Sequence, residues 1–337
     1  MSGASPALVA SGPACVALSG GVGGAKLALG LAHVMDPARL LVVANTGDDF
    51  EHLGLHVSPD LDTLTYTMAG LANAETGWGR AGETWTFMAA LEALGGETWF
   101  KLGDGDLATH VERTRRLRAG ETLGAITADL SARLGIQARI VPMSDDPVRT
   151  IIETKDGESL AFQHYFVRLG CAPQVAAIRF QGAERARPDP VMLAALSEAE
   201  VVVICPSNPL ISIDPILAVP ALRAAIEATS APVVAVSPIV GGRALKGPTA
   251  KMMGELGMAV SADAVAGHYG DLLDGFVLDT ADAALADSVR RLGIEVLVAD
   301  TVMTSLDDRR ALARRVLDFA TRLGEASAGP QQAQPRT

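Results

Sequence analysis

Short apolar runs recur along the chain at a spacing typical of strands that alternate with helices. The runs at 15–18 and 40–44 are continuously apolar, as in parallel strands that are buried on both faces. Further strands are predicted at 138–143, 150–154, 159–166, 175–180, 201–205, 232–236, 275–278 and 295–299. Helical patterns lie between the runs, at 27–35, 190–196, 214–228, 248–256 and 309–323. This order predicts an α/β fold with a Rossmann-like, doubly wound, mainly parallel sheet, in which 150–154 and 159–166 form a hairpin.

One long stretch departs from this alternation. Residues 63–137 are mostly helical in pattern, with short glycine-containing interruptions, and predict a smaller, mostly helical inserted lobe. The Rossmann-like nucleotide-binding core then comprises 13–62 and 138–325. The small-residue leader 1–12 and the Pro- and Gln-containing end 326–337 are predicted to be flexible.

Four aspartates follow closely on the strand predicted at 40–44. They are Asp48, Asp49, Asp60 and Asp62. Ligands of open α/β sheets bind outside the carboxyl ends of the strands, so these carboxylates are placed where a ligand would lie. Each could instead have a local role, shaping an Asx turn or favouring a helix dipole. Taken together, they favour a site for a divalent metal and a phosphate.

The residues between these aspartates predict a second helix. Ser58 would cap that helix and Pro59 would occupy its first position. His52 and His56 are four residues apart, which on a helix would suit a metal. Their stretch is more typical of a loop or strand, so metal ligation by these histidines is disfavoured.

A glycine-rich turn joins the first strand to the first helix. Its candidate phosphate-binding residues are Gly20, Gly21, Gly23, Gly24 and Lys26. Glycines let the backbone approach a phosphate, and free N–H groups at a helix start attract it. The turn fits neither the dinucleotide fingerprint, which needs a third glycine at Lys26, nor the Walker pattern, which needs Ser or Thr at Leu27. The alternative is a tight turn with close helix packing.

Two later strand ends also carry polar residues. Ser207 and Asn208 follow the strand at 201–205, and Arg243 and Lys246 lie among glycines before a helix. Arginine can hold phosphate oxygens bidentately, so these residues suit a diphosphate. The alternative for Arg243 and Lys246 is surface charge on a flexible loop.

All three tryptophans of the chain fall in the helical lobe, at Trp78, Trp85 and Trp99. They could stack on a flat ring system, or they could anchor the core of the lobe.

The net charge of −11 argues against a general nucleic-acid surface. The basic cluster of Arg113, Arg115, Arg116 and Arg118 alternates with apolar residues and predicts a solvated helix face. Three widely spaced cysteines indicate neither a disulfide framework nor a zinc site. No apolar run is long enough to span a membrane and no signal peptide is evident, so a cytoplasmic protein is predicted.

Several of these segments, in this order, resemble the 2-phospho-L-lactate transferase family of coenzyme F420 biosynthesis. The matching segments are 18–26, 45–49, 58–63, 77–79, 82–85, 107–110 and 206–209. The resemblance extends over residues 15–325, nearly the whole chain.

The resemblance implies a magnesium-dependent transferase of the EC 2.7.8 type, with a Rossmann-like core, a smaller lobe and a homodimeric state. The family moves a phospho-three-carbon-acid group from a guanosine-diphosphate-activated donor to the terminal ribityl hydroxyl of the deazaflavin Fo. The product is F420-0 or its analogue, and GMP is released. The sequence does not identify the acid, which could be phospholactate, phosphoenolpyruvate or 3-phosphoglycerate.

The resemblance also implies roles for individual residues. Asp48 and Asp62 would hold Mg²⁺, with Asp60 as the other candidate ligand. Asp49 would orient or deprotonate the Fo hydroxyl. Trp85 and Met88 would border the deazaflavin. The diphosphate would be held by the candidates named above, which are Gly20, Gly21, Gly23, Gly24, Lys26, Ser207, Asn208, Arg243 and Lys246.

Two other functions remain open from the sequence. One is a nucleotide-sugar-binding regulator on the same scaffold, which would not need a lobe that holds a deazaflavin. The other is a nicotinamide-dependent oxidoreductase, which the missing third glycine and the missing acidic ribose partner disfavour.

Overall fold

Seven parallel strands form the central sheet of the computed structural model, which describes residues 14–328. In chain order the strands are β1 (Cys15–Ser19), β2 (Leu40–Ala44), β3 (Phe50–His52), β4 (Leu55–Val57), β5 (Arg139–Pro142), β6 (Arg149–Thr154), β7 (Ser159–Ala161), β8 (Val175–Gln181), β9 (Val201–Ile204), β10 (Val233–Val236), β11 (Ile239–Val240), β12 (Arg243–Ala244), β13 (Gly275–Asp279) and β14 (Glu295–Ala299). The order across the sheet is β14-β13-β10-β9-β1-β2-β5. The predicted α/β class with a parallel sheet is confirmed.

Helices cover both faces of this sheet. They are α1 (Gly21–Val34), α2 (Pro59–Met68), α3 (Thr86–Ala93), α4 (Asp104–Arg118), α5 (Leu123–Arg133), α6 (Pro190–Glu198), α7 (Asp214–Leu217), α8 (Pro220–Glu227), α9 (Thr249–Glu255), α10 (Ala262–Tyr269), α11 (Ala286–Arg290) and α12 (Leu306–Ala328). One core lies beneath α1, α2 and α12, and the other beneath α6, α8, α10 and α11.

Successive side chains along each strand point alternately into these two cores. In β1, Cys15 and Ala17 point into the first core, whereas Val16 and Leu18 point into the second. Because both faces of the sheet are covered, its inner strands are apolar at successive positions, as the sequence indicates.

Two predicted helices differ from the observed ones. The first helix begins at Gly21 rather than at residue 27, so the glycine run forms its first turns. The helix predicted at 214–228 is two helices, α7 and α8, because Pro220 starts a new helix and cannot continue the old one. Within residues 14–328 no single helix is long and apolar enough to cross a membrane, although Pro209–Leu217 taken with Pro220–Glu227, bent at 87°, would pass on length and composition.

Three of the predicted strand segments form a separate antiparallel sheet of order β7-β6-β8. The hairpin β6–β7 is confirmed, but its second strand ends at Ala161 rather than at residue 166. A π-helical turn, His164–Arg168, follows it. Phe166 of this turn stacks on Phe162, with the ring centroids 5.4 Å apart.

The predicted boundary at residue 63 falls inside α2. Leu61 and Leu64 of α2 are both part of the core under the central sheet, whereas α3, α4 and α5 form the region beyond it. Helix α12 extends to Ala328, into the end that was predicted to be flexible. The leader 1–12 and the last residues, 329–337, lie outside the described residues.

Candidate functional site

The candidate site lies at the point in the central sheet where the order of the strand connections reverses. Strands β1 and β9 are adjacent, but the chain leads from β1 to β2 on one side and from β9 to β10 on the other. Their carboxyl ends therefore open a crevice, the usual ligand position in such sheets. The glycine turn after β1 and the segment Pro206–Asn208 after β9 meet there, and Gly20 N–H donates to Ser207 Oγ at 3.1 Å.

Several glycines of the turn, including Gly23 and Gly24, are required by packing. A Cβ atom at Gly23 would overlap the carbonyl oxygen of Pro206, and one at Gly24 would overlap Ser207 Oγ. The close-packing interpretation thus accounts for these two positions. Gly21 has a φ of 62°, a left-handed conformation that L side chains rarely adopt, and its predicted role toward phosphate stays a prediction.

Asp48 is buried in the loop after β2. Its Oδ2 accepts from Gln163 Nε2 at 3.1 Å, and its Oδ1 lies 3.5 Å from Asn45 Nδ2. Gly47 makes this loop possible, because a Cβ there would lie 2.7 Å from Pro215 Cβ. Both neighbours that contact the Asp48 carboxylate are neutral amides.

Asp60 is held in the first turn of α2 beside the glycine turn. Its Oδ2 accepts from Asn45 Nδ2 at 2.9 Å and from Ser212 Oγ at 3.1 Å. Asn45 also donates to the carbonyl oxygen of Ile211 at 3.1 Å. Asn45 therefore links the ends of β2 and α2 to the π-helical turn Pro209–Ile213.

Burial and mutual repulsion destabilise the charged forms of these carboxylates. Burial, followed by the nearby charges of Asp60 and Asp49, raises the pKa of Asp48 well above its ordinary value. Burial raises the pKa of Asp60 to about 6, although hydrogen bonds from Asn45 and Ser212 oppose the rise. Adjacent acids that resist ionisation together form a site where a cation would be strongly favoured.

Asp49 has one oxygen saturated and one free. Its Oδ2 lies 3.0 Å from His56 Nε2 and accepts from Ser58 Oγ at 2.9 Å. Within residues 14–328 its Oδ1 is buried and has no hydrogen-bond partner. Ser58 precedes α2 as predicted, but its hydroxyl bonds to Asp49 and makes no cap bond to the helix.

Asp62 contacts different residues from the other three aspartates. Both of its oxygens accept from the buried guanidinium of Arg113, and His110 Nδ1 is 3.7 Å from Oδ2. The prediction that Arg113 belongs to a solvated helix face is wrong, because the helix turns this arginine inward. Arg115 of the same cluster is exposed, as predicted.

The predicted cations lie on two separate segments of the chain. Lys26 Nζ donates to the carbonyl oxygen of Met303 at 2.8 Å. Lys246 and Arg243 are exposed on the segment after β10, and a Cβ at Gly77 would overlap Lys246 Nζ. Lys246 thus reaches the loop that carries Trp78.

The three tryptophans have different environments. Trp99 packs edge-on against Phe100, His52 and His164, so it anchors an aromatic cluster. Trp78 and Trp85 are 50% and 43% exposed and line one concavity with Arg80 and Glu83. Met88 of α3 is buried.

The model of the family described as 2-phospho-L-lactate transferase CofD matches residues 15–317. The chain belongs to this family. A Streptomyces griseus protein named phosphoenolpyruvate transferase is 46% identical over 310 residues, covering 90% of this chain and 98% of the relative. A Streptomyces coelicolor protein of the same name is 44% identical over 316 residues, covering 92% and 99%.

The fold also matches a solved structure. A UPF0052-family protein from Bacillus halodurans superposes with a TM-score of 0.61 over 91% of this chain and 99% of its own length, at 14% identity. The family model and the Streptomyces relatives confirm, at the level of the family, the predicted resemblance to transferases of coenzyme F420 biosynthesis.

In this CofD-family chain, Asn45, Gln163, Ser212 and His56 contact the predicted acids but were not predicted to be site residues. Asn45 could have been recognised, since a polar amide that directly follows a buried strand lies at the ligand edge. Gln163 and Ser212 have no such signal, because they reach the site from distant segments.

The residues at the crevice fit a magnesium ion. Asp48 and Asp60 offer hard carboxylate oxygens that no cationic side chain neutralises among the described residues, whereas Asp62 is already paired with Arg113. Other buried polar atoms at the same edge also lack partners in the described part of the chain, including Ser19 Oγ, Thr46 Oγ1 and Asn208 Nδ2. Such atoms are expected where a ligand completes the hydrogen bonding.

Proposed function

We propose that this protein transfers an enolpyruvyl-phosphate group from a guanosine-diphosphate-activated phosphoenolpyruvate to the deazaflavin Fo and releases GMP. The observation that carries the proposal is a pair of unneutralised carboxylates, the buried Asp48 and the partly buried Asp60, at the switch point of a CofD-family fold. Relatives named phosphoenolpyruvate transferase at 46% and 44% identity support this acid over phospholactate or phosphoglycerate.

The reaction is a displacement at phosphorus. The terminal ribityl hydroxyl of Fo attacks the phosphorus that carries the enolpyruvyl group. The bond from that phosphorus to the bridging oxygen breaks, and its electron pair leaves with GMP. Because a diphosphate repels the incoming oxygen, the protein mainly has to position the two substrates and neutralise charge.

Asp48 and Asp60 would hold Mg²⁺, and Asp62 remains a predicted ligand whose carboxylate Arg113 now binds. When bound, the ion would neutralise the diphosphate oxygens and stabilise the leaving GMP. Asn45 fixes the relative position of the two carboxylates through its amide, and Gln163 holds the second oxygen of Asp48.

Asp49 would orient the Fo hydroxyl and take its proton. His56 and Ser58 occupy Oδ2, so Oδ1 is the oxygen left to accept the hydroxyl. A carboxylate held on one side presents its free oxygen in a fixed direction, which favours proton transfer in the transition state.

The acceptor ring would lie along the lobe. Trp78 and Trp85 present half-exposed rings to one concavity, which suits a flat tricyclic ligand. Met88 of α3 is buried, so its role would be to support the lobe from within. The donor diphosphate would lie along the glycine turn, toward Lys26, Ser207, Asn208, Arg243 and Lys246.

The family resemblance further supports a homodimer in the cytoplasm. Gel filtration with light scattering would test the dimeric state.

A GMP-release assay tests the proposed function. GMP release by the wild-type protein should require Fo, the guanylylated phosphoenolpyruvate and Mg²⁺ together. Asp48→Asn should lower the rate by about 100-fold or more, because the neutral amide neither binds nor counterbalances the cation. Asp156→Asn, on the exposed β6–β7 turn, is the matched control and should keep the wild-type rate. A near-wild-type rate for a folded Asp48→Asn variant would refute the metal assignment.

A further inference from the structure

Two charged side chains at the concavity between Trp78 and Trp85 have no role in the proposed reaction. Arg80 and Asp106 both line this concavity, together with Glu83. The two indole rings are 50% and 43% exposed, so they offer apolar surface to a ligand. Because aromatic surface accepts any flat ring, the charged groups beside it are the ones that select among rings.

The carboxylate of Asp106 has one oxygen engaged and one available. Tyr66 Oη donates to Oδ1 at 2.7 Å, and His110 Nε2 lies 3.2 Å from the same oxygen. Tyr66 and His110 are both buried, whereas 14% of the Asp106 side chain is exposed. Oδ1 therefore faces the protein interior. Oδ2, which accepts no hydrogen bond within residues 14–328, is the oxygen available to the concavity.

Arg80 lies beside Asp106 without pairing with it. Its Nη1 donates to the carbonyl oxygen of Gly105 at 3.1 Å, and its guanidinium carbon lies 5.5 Å from the centre of the Tyr66 ring. No carboxylate is within ion-pair distance of Arg80 in the described part of the chain. The guanidinium therefore keeps N–H groups for a ligand, next to a carboxylate oxygen that is also available.

The first turns of α3 and α4 hold these groups in place. Glu83 Oε2 accepts from Gly105 N at 2.7 Å, and its Oε1 accepts from Asp106 N at 2.8 Å. In the other direction, Asp104 accepts from the first two N–H groups of α3 at 3.1 and 3.0 Å, directly after Trp85. Each helix start is thus fixed by an acid from the other. A ligand that binds here has little left to order, which favours its affinity.

An unpaired cation beside an available carboxylate oxygen favours a ligand that supplies both an acceptor and a donor. A phosphate would bind Arg80 but would be repelled by Asp106, and a cation would be repelled by Arg80. A ring in which an N–H group adjoins a carbonyl satisfies both side chains and adds no net charge. The pyrimidine ring of a deazaflavin and the guanine base of the donor both carry such an edge.

We propose that Arg80 and Asp106 bind the N–H and the adjacent carbonyl of a flat ring that stacks on Trp78 and Trp85. Asp106 Oδ2 accepts from the ring N–H, and the Arg80 guanidinium donates to the ring carbonyl. This inference deepens the proposed function, on which it rests for the two candidate rings. The tryptophans select a flat shape, and the two charged side chains select the ring by its polar edge.

Calorimetric titrations of the full-length protein test the proposal with two pairs of ligands in the presence of MgCl₂. The pairs are Fo with its N3-methyl derivative, and GDP with its N1-methyl derivative. In each pair, methylation removes the ring N–H. The wild-type protein should bind one unmethylated ligand about tenfold or more tightly than its methylated partner, because a hydrogen bond to a charged group is lost.

Two substitutions assign this preference to the concavity. Asp106→Asn keeps the shape of the side chain but places an amide donor where Oδ2 was, so it should remove most of the preference for the unmethylated ring. Arg80→Met should weaken binding of the same ligand by about tenfold. The matched controls are Arg115→Met and Asp156→Asn. Arg115 lies on α4, is exposed and is already paired with an acid, and Asp156 lies on the exposed β6–β7 turn. Both controls should stay within about twofold of the wild-type protein.

The two rings give different results. A preference for unmethylated Fo that Asp106→Asn removes assigns the concavity to the deazaflavin. A preference for unmethylated GDP that Asp106→Asn removes assigns it to guanine. A wild-type protein that distinguishes neither ligand from its methylated partner overturns the proposal. Binding of both unmethylated ligands to Arg80→Met and Asp106→Asn within about twofold of the wild-type protein overturns it as well.

These titrations do not depend on transfer of the phospho-acid group. If no GMP is released in the assay above, they still decide whether Arg80 and Asp106 bind the edge of a ring. If GMP is released but neither substitution changes binding, only the role of these two side chains is wrong. If Asp106→Asn does not fold, Arg80→Met and the methylated ligands with the wild-type protein remain as the test.

Discussion

At the scale of single residues, the site is a set of carboxylates held in an environment that disfavours their charge. Asp48 and Asp60 are surrounded by amide and hydroxyl donors, which orient them without neutralising them. This arrangement costs stability in the absence of a ligand and gains it back when a cation binds. Because the charge of these carboxylates affects stability, the site can be tested by measuring the stability of the protein, without an activity assay.

The raised pKa of Asp60 predicts a pH dependence of stability. The pKa of Asp60 is about 6 in the folded protein against 3.8 for the ordinary group, so the folded state keeps a proton that the unfolded state has lost between these values. The stability contributed by Asp60 is therefore present at low pH and is lost as the pH rises through about 6. Asp48, whose pKa is also raised, acts in the same direction.

In metal-free buffer, the thermal midpoint should fall as the pH is raised from about 4 to 6.5, by roughly 1–2 °C for each kcal/mol lost. Asp60→Asn should flatten this dependence, and MgCl₂ at neutral pH should raise the midpoint of the wild-type protein. Calorimetry of the wild-type, Asp60→Asn and Asp156→Asn proteins would check it. Equal pH slopes for the wild-type and Asp60→Asn proteins would contradict the assigned pKa shift.

The sequence indicated the acids of the site but not their partners. Four aspartates after one buried strand are visible as a local pattern. Gln163 is 115 residues from Asp48, and Ser212 is 152 residues from Asp60, so no spacing rule relates them. The role of Arg113 was missed for a similar reason, because its partner Asp62 lies on another helix.

At the scale of elements, α2 and α4 are joined by one buried ion pair. Arg113 of α4 and Asp62 of α2 are both nearly inaccessible, and His110 lies beside them. Breaking such a pair from one side leaves an uncompensated buried charge, which costs about 3–5 kcal/mol. The lobe therefore depends on this contact for its attachment to α2.

Arg113→Met should lower the free energy of unfolding by about 3 kcal/mol or more. Arg115→Met, two residues further along the same helix, should change it by less than about 1 kcal/mol, since Arg115 forms an exposed pair with Glu112. Urea denaturation followed by circular dichroism compares the two variants. A similar loss in both would mean that the Arg113–Asp62 pair does not hold the elements together.

Strands of the central sheet could be predicted more reliably than the other elements. All seven have short apolar runs because the sheet is covered on both faces. The start of α1 was predicted too late, because glycine has a low helix propensity and the close approach of Pro206 and Ser207 overrides it. The separate sheet β7-β6-β8 was not anticipated, since local alternation does not specify the sheet to which a strand belongs.

At the scale of the whole molecule, the order of the strands concentrates the site. The chain continues from β1 to the strand on one side and from β9 to the strand on the other side. Loops from both halves of the sheet therefore meet at one crevice. The acids follow β2, and the cations predicted to hold a diphosphate are on α1 and on the segment after β10. A diphosphate between them would contact a metal on one side and basic side chains on the other.

We propose that Asp48 and Asp60 hold a divalent cation against a guanine nucleotide. It is tested most directly by anomalous X-ray scattering from a crystal grown with GDP and Mn²⁺ in place of Mg²⁺. We expect a manganese peak within bonding distance of Asp48, Asp60 and a phosphate oxygen of GDP. A well-ordered nucleotide with no peak at these carboxylates, or with the metal bound elsewhere, would contradict it.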